Sequence, residues 1–218
     1  MKMNKIAFVI LVFVFAANNL VFAQSKEKSS SEILQEVTDK TKAYKSIKLK
    51  FNYKMENPDA NINETTTGEA LVSGDKYQLK VAGQTVISDG KTVWTIIPDA
   101  AEVQINNVAE GTDSFTPTKM LSSYNDEFKS KLNTKITELN GKSVYALELT
   151  PNKKKSFEKV NLFIDKAKMQ LYSIAIFDQN GSTYTYTMTT FEPDFKVNPT
   201  DFSFKASDYP DYEVIDMR

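Results

Sequence analysis

The groups that most often move protons or hold metals near neutral pH are missing from this chain: among its 218 residues there is no histidine and no cysteine. Ser/His/Asp and Cys/His catalysis and His-ligated zinc are thereby excluded. Carboxylate chemistry of the glycosidase kind remains open in principle, because it needs only two acids facing one substrate. The acids nearest the apolar segments, Glu56, Glu69, Glu102 and Glu138, fall at turn edges or on the polar side of alternating patterns. They read as solvated surface, so no catalytic residue, metal ligand or cofactor is assigned. No Gly-rich phosphate loop occurs either. The chemistry that the sequence does supply is apolar: it has 14 phenylalanines, 10 tyrosines and one tryptophan, and many of them recur at every second position of short segments.

Those segments are the elements that must position such side chains. Ile47, Leu49, Phe51, Tyr53 and Met55 alternate with Lys48, Lys50, Asn52, Lys54 and Glu56, so one face of this strand is greasy and the other wet. Strands are also predicted over 65–73, 76–81, 85–88, 92–97 and 102–106, then over 133–139, 144–150, 159–165, 170–178 and 183–191. Gly74-Asp75, Ala82-Gly83, Asp89-Gly90, Asn140-Gly141 and Asn180-Gly181 punctuate them. Short strands with such turns form hairpins rather than βαβ units. Two helices are expected. Ser29 and Glu32 have capping-box spacing ahead of Ile33, Leu34, Val37, Thr41 and Tyr44, which predicts a helix to about Lys45. Thr116 and Pro117 open a second one containing Met120, Leu121 and Tyr124. The tail from Asp201 to Met217 is limited by Pro210 to edge or irregular structure.

This pattern predicts an α+β, mainly antiparallel β fold: one long sheet that curls, capped by two or three short α-helices. Its apolar strand residues exceed what two short helices can cover, which leaves an apolar cavity. Strand alternation assigns to that cavity Phe51, Tyr53, Tyr77, Leu79, Trp94, Ile96, Leu147, Leu149, Ile174 and Ile176. The lid over it is assigned to Ile33, Leu34 and Val37 of the first helix and to Met120 and Leu121 of the second.

Residues 1–23 read as a cleaved secretory signal: Lys2 and Lys5, an apolar run from Ile6 to Ala17, and small residues before a cut after Ala23. Asn18 and Asn19 end the run well short of the ~20 residues that cross a bilayer. The mature chain, 24–218, is expected to be a single domain in the periplasm. It carries 25 basic and 28 acidic residues, a net −3 that gives no general grip on nucleic acid. Without cysteine it has no disulfides and must rely on its core.

Val86-Ile87-Ser88-Asp89-Gly90-Lys91-Thr92-Val93-Trp94, followed by Pro98 and Glu102-Val103, resembles the central signature of the LolA-type outer-membrane lipoprotein carriers. Gly68-Glu69-Ala70-Leu71-Val72, Leu147-Glu148-Leu149-Thr150-Pro151, Asp178-Gln179-Asn180-Gly181 and Phe202-Ser203-Phe204 extend the similarity along nearly all of the mature chain. The resemblance implies a half-open β-barrel capped by helices over a hydrophobic cavity, and a monomeric periplasmic carrier of acylated lipoproteins or lipids. It also implies partners: an inner-membrane lipoprotein-release complex and an outer-membrane receptor. The receptor role itself is disfavoured by the missing lipidation cysteine. Family members often carry an Arg-Pro pair after the Gly-acid-apolar strand, where this chain has Val72-Ser73-Gly74-Asp75. Closure of the lid by that arginine therefore does not carry over. The alternatives are a lipid- or lipoprotein-binding periplasmic sensor of the same fold and a carboxylate-only hydrolase.

Overall fold

The computed structural model describes residues 28–108, 119 and 127–218. The signal segment, and Met120 and Leu121 of the expected second helix, lie outside those residues.

Helix α1 (Ser30–Ala43) starts where the capping box predicts: the Glu32 amide donates to Ser29 Oγ at 3.2 Å, and the Ser29 amide donates to Glu32 Oε2 at 2.7 Å. Two otherwise orphaned amides are satisfied in this way. Its apolar stripe, Ile33, Leu34 and Val37, is buried together with Thr38 and Thr41. The helix stops two residues before Lys45, because Tyr44 turns to extended backbone and stacks edge-on against Phe191 at 6.1 Å.

Among the described residues thirteen strands follow: β1 (Ile47–Asn57), β2 (Ile62–Ser73), β3 (Lys76–Val81), β4 (Gln84–Ser88), β5 (Thr92–Ile97), β6 (Glu102–Asn107), β7 (Phe128–Leu132), β8 (Glu138–Leu139), β9 (Lys142–Pro151), β10 (Phe157–Asp165), β11 (Gln170–Asp178), β12 (Thr183–Pro193) and β13 (Glu213–Asp216). Their order is β13-β6-β5-β4-β3-β2-β1-β12-β11-β10-β9-β7, with β8 pairing β9 to the side. The sheet is thus two antiparallel meanders, β1 to β6 and β7 to β12, joined where β1 pairs β12. Strands β6 and β7 are neighbours in sequence but lie near opposite ends of the sheet, which is open. Asn140 and Gly141 both have positive φ (50° and 76°), which a two-residue hairpin of right-handed twist requires.

The strand expected over 133–139 is corrected. Phe128, Ser130 and Leu132 form β7 earlier, and Asn133 then ends it, its Oδ1 accepting from the Lys135 amide at 3.1 Å. Side-chain capture of a nearby amide competes with the strand ladder. The tail is irregular and edge structure, as its proline suggests. It passes through two 3-10 turns (Pro199–Phe202 and Ala206–Asp208), and β13 then pairs with β6 in parallel.

The main core joins α1 to one face of the sheet, through Leu49, Phe51, Leu147, Leu149, Leu162, Ile164 and Ile174. A second, smaller core lies around Ile87, Ile96 and Val103, with Trp94, Phe204, Tyr209 and Tyr212 packed against it.

Candidate ligand-binding face

Strand register decides which side chains share a face, because directly paired residues project to the same side. Across the middle of the sheet, Leu147 pairs with Leu162, Leu162 with Ile174, Ile174 with Tyr186, and Tyr186 with Tyr53. Towards the other end Ala70 pairs with Leu79 and Leu79 with Val86. These residues belong to the core that holds α1, so they line the inner face. Eight of the ten residues assigned to the cavity fall on it: Phe51, Tyr53, Tyr77, Leu79, Leu147, Leu149, Ile174 and Ile176.

Trp94 and Ile96 do not. Val86 pairs with Thr95, which places Thr95 inside and its neighbours Trp94 and Ile96 outside. There the Trp94 indole stacks on Phe204 at 6.2 Å, and Phe204 stacks on Tyr209 at 5.5 Å. A one-residue difference in parity reverses a strand's faces, and the outer face of β5 is apolar because the C-terminal segment lies on it.

The inner face divides in two. Helix α1 packs on β7 and β11, and in this half Leu149, Leu162, Ile164 and Ile174 are wholly buried, as are the lid-assigned Ile33, Leu34 and Val37. In the other half Tyr53, Leu79, Val81, Val86, Tyr184, Tyr186 and Met188 border the core while remaining only partly buried. Val81, Val86, Tyr184, Tyr186 and Met188 are not among the residues assigned from sequence. The Tyr184-Thr185-Tyr186-Thr187-Met188 alternation is the signal for three of them. Phe51 and Tyr77, on β1 and β3, are buried.

The aromatic rings of this half touch. Tyr186 lies 5.1 Å from Tyr53 and 5.7 Å from Phe51, centroid to centroid. The Phe51 ring covers Gly68 on β2, where a Cβ would overlap it and would approach the Lys80 carbonyl oxygen to 2.9 Å. Burial, reinforced by Tyr53 and Tyr184, pushes the Tyr186 phenol up to about 12. Burial also raises Tyr53 and Tyr77. All three are neutral hydrogen-bond donors near pH 7.

A notch of about 630 Å³ lies where β2 runs past the end of the β3–β4 hairpin, lined by Phe51, Gly68, Val81 and Gln84 together with Lys50 and Glu69. Two of the acids considered for catalysis form exposed ion pairs: Glu56 with Lys54 at 2.7 Å and Glu69, at the notch, with Lys80 at 3.3 Å. Among the described residues no three His, Cys, Asp or Glu cluster as a metal site would require. The Arg-Pro position is a turn, with Gly74 at φ 57°.

The family described as outer membrane lipoprotein carrier protein LolA matches residues 42–205, three quarters of the chain. The chain belongs to the LolA family. The matched span runs from the end of α1 through β1 to β12 and ends at Lys205, so it includes both halves of the inner face. No curated protein matches the chain. Among solved structures, an uncharacterised conserved protein from Thermus thermophilus shares 13% identity over 87% of this chain and 99% of its own, with a TM-score of 0.57. A putative outer membrane lipoprotein-sorting protein domain from Vibrio parahaemolyticus (14% identity, 79% and 95% coverage, TM-score 0.45) is also similar. So is the lipoprotein LppX from Mycobacterium tuberculosis (11%, 77% and 96%, 0.47). At 13% identity the likeness to the Thermus thermophilus protein is one of fold alone.

Proposed function

We propose that this chain is a monomeric periplasmic carrier that shelters the acyl chains of lipoproteins on the inner face of its sheet and ferries them from the inner to the outer membrane. On this reading it is exported by a signal peptide cleaved after Ala23 and works as a single domain over 24–218. An inner-membrane release complex supplies the cargo and an outer-membrane receptor accepts it. The observation that carries the proposal is the partly buried apolar half of the inner face, Tyr53, Leu79, Val81, Val86, Tyr184, Tyr186 and Met188, continuous with a fully packed core.

The energetics fit a carrier. Each buried methylene contributes ~0.8 kcal/mol, so one palmitoyl chain amounts to on the order of 12 kcal/mol and does not cross water unaided. Non-covalent affinity saturates near ~20 kcal/mol, and delivery requires that cargo be released. An apolar face with few polar anchors holds a chain by area alone, and area lost by sliding out is recovered in the receptor or the membrane.

The test is displacement of a neutral fluorophore, Nile red, by a synthetic lipopeptide carrying an acylated amino-terminal cysteine. Displacement in the micromolar range, about 8 kcal/mol of binding, supports the reading, as does co-purifying lipid seen by mass spectrometry. A protein that melts cooperatively yet binds neither dye nor lipopeptide has a closed core and no carrier site.

A further inference from the structure

The inner face is largely apolar, and no described strand points a lysine into it; Lys50 and Lys80, at the notch, project from the outer side. The described strands contain nine lysines, and register places every one on the outer face. Lys48, Lys50 and Lys54 alternate with the inward Leu49, Phe51 and Tyr53 on β1. Lys76 and Lys80 flank the inward Tyr77 and Leu79 on β3. Lys129 and Lys131 flank Ser130, whose partner is the inward Leu149. Lys142 shares the parity of Val144, the outward neighbour of Tyr145. Lys159 pairs with Phe177, the outward neighbour of Ile176. No described strand carries an arginine. The inward strand positions that do bear charge are acidic and lie near strand ends, as with Glu64 opposite Met55 and Glu102 opposite Ile97. On α1 the buried side chains are Ile33, Leu34, Val37, Thr38 and Thr41, again without charge.

The polar side chains that register turns inward in the partly buried half are mostly uncharged: the phenols of Tyr53, Tyr184 and Tyr186, with Thr66, Gln84, Thr95 and Gln104. A phenol can donate one hydrogen bond to an ester or amide carbonyl, which satisfies that group. It leaves a full negative charge unpaired, and an ion taken out of water without a counter-charge is strongly disfavoured.

Building on the carrier reading, we infer that the inner face selects acyl chains whose carboxyl group is esterified or amidated, as on a lipoprotein, and rejects free fatty-acid anions of the same length. Rejection of free fatty acid keeps an abundant competitor from occupying the cavity.

The test compares laurate with monolauroyl glycerol, which share one acyl chain, as competitors for Nile red below their micelle concentrations. At about pH 7 the ester displaces the dye at a concentration roughly tenfold or more below that needed with laurate, and the gap narrows near pH 5 as the acid becomes neutral. Thr95→Lys, which puts a cation at an inward position beside Val86, shifts the ratio towards laurate. Equal displacement by both at neutral pH overturns the inference while leaving the carrier reading intact. Failure of both ligands and of the lipopeptide overturns the two together.

Discussion

Tyr186 carries the clearest physical signature on the inner face. Its ring is wedged against Tyr53 and Phe51, and its phenol ionises only near 12. Because the folded value lies above the usual 10.0, folding favours the protonated form, so the stabilisation is complete below about pH 10 and is lost as pH rises towards 12. A shift of two units corresponds to roughly 2–3 kcal/mol. Tyr186→Phe should therefore flatten the fall of stability between about pH 10 and 12 in denaturant titrations, with little change near neutrality. An unchanged alkaline slope would mean that the phenol is open to water.

Helix α1 is the one long helix among the described residues, and its seat contains a flaw. Beside the wholly buried Ile33, Leu34 and Val37, the Thr38 hydroxyl is buried without a hydrogen-bond partner. A buried, unpaired hydroxyl costs about 1–3 kcal/mol, and valine has nearly the same shape and helix propensity. Thr38→Val should thus raise the melting temperature. If α1 also moves when acyl chains enter, tighter seating should slow Nile red association and retard hydrogen exchange in the helix while the strands exchange as before. A lower melting temperature would show that the hydroxyl has a partner in solution. Faster melting of the strands on loosening α1, for example in Leu34→Asp, would show that the helix is structural core and not a lid.

The whole molecule places its single tryptophan on the outer face, against the C-terminal segment. Trp94 stacks on Phe204 across the outer face, with Tyr209 and Tyr212 completing the cluster. Strand β13 extends this contact by pairing with β6, the Glu213 amide donating to the Ala101 carbonyl at 2.8 Å. Removing residues 199–218 should shift Trp94 emission to longer wavelength and expose the edge of β6, an invitation to aggregate. Saturation of the inner face with lipopeptide should leave that emission nearly unchanged. Strong quenching by a ligand that displaces Nile red would put the cargo on the outer face.

Local signals were legible without a structure: the Ser29/Glu32 box that starts α1, the Asn140-Gly141 hairpin, and the ten-residue alternation of β1 that separates Phe51 and Tyr53 from Lys50 and Lys54. Each of these is decided within a few residues, by capping, positive φ or period-two burial, and the LolA signature is likewise a run along the chain. The β5 sequence Thr-Val-Trp-Thr-Ile-Ile is different, because it is apolar at both parities. Alternation there cannot say which side faces in. Only the pairing of Thr95 with Val86, and the arrival of Phe204 and Tyr209 from the far end of the chain, turn Trp94 and Ile96 outward. The division of the inner face is tertiary for the same reason. Leu147 and Leu79 have equal alternation in sequence, but α1 packs over β7 and β11, so Leu147 becomes packed core while Leu79 remains partly open.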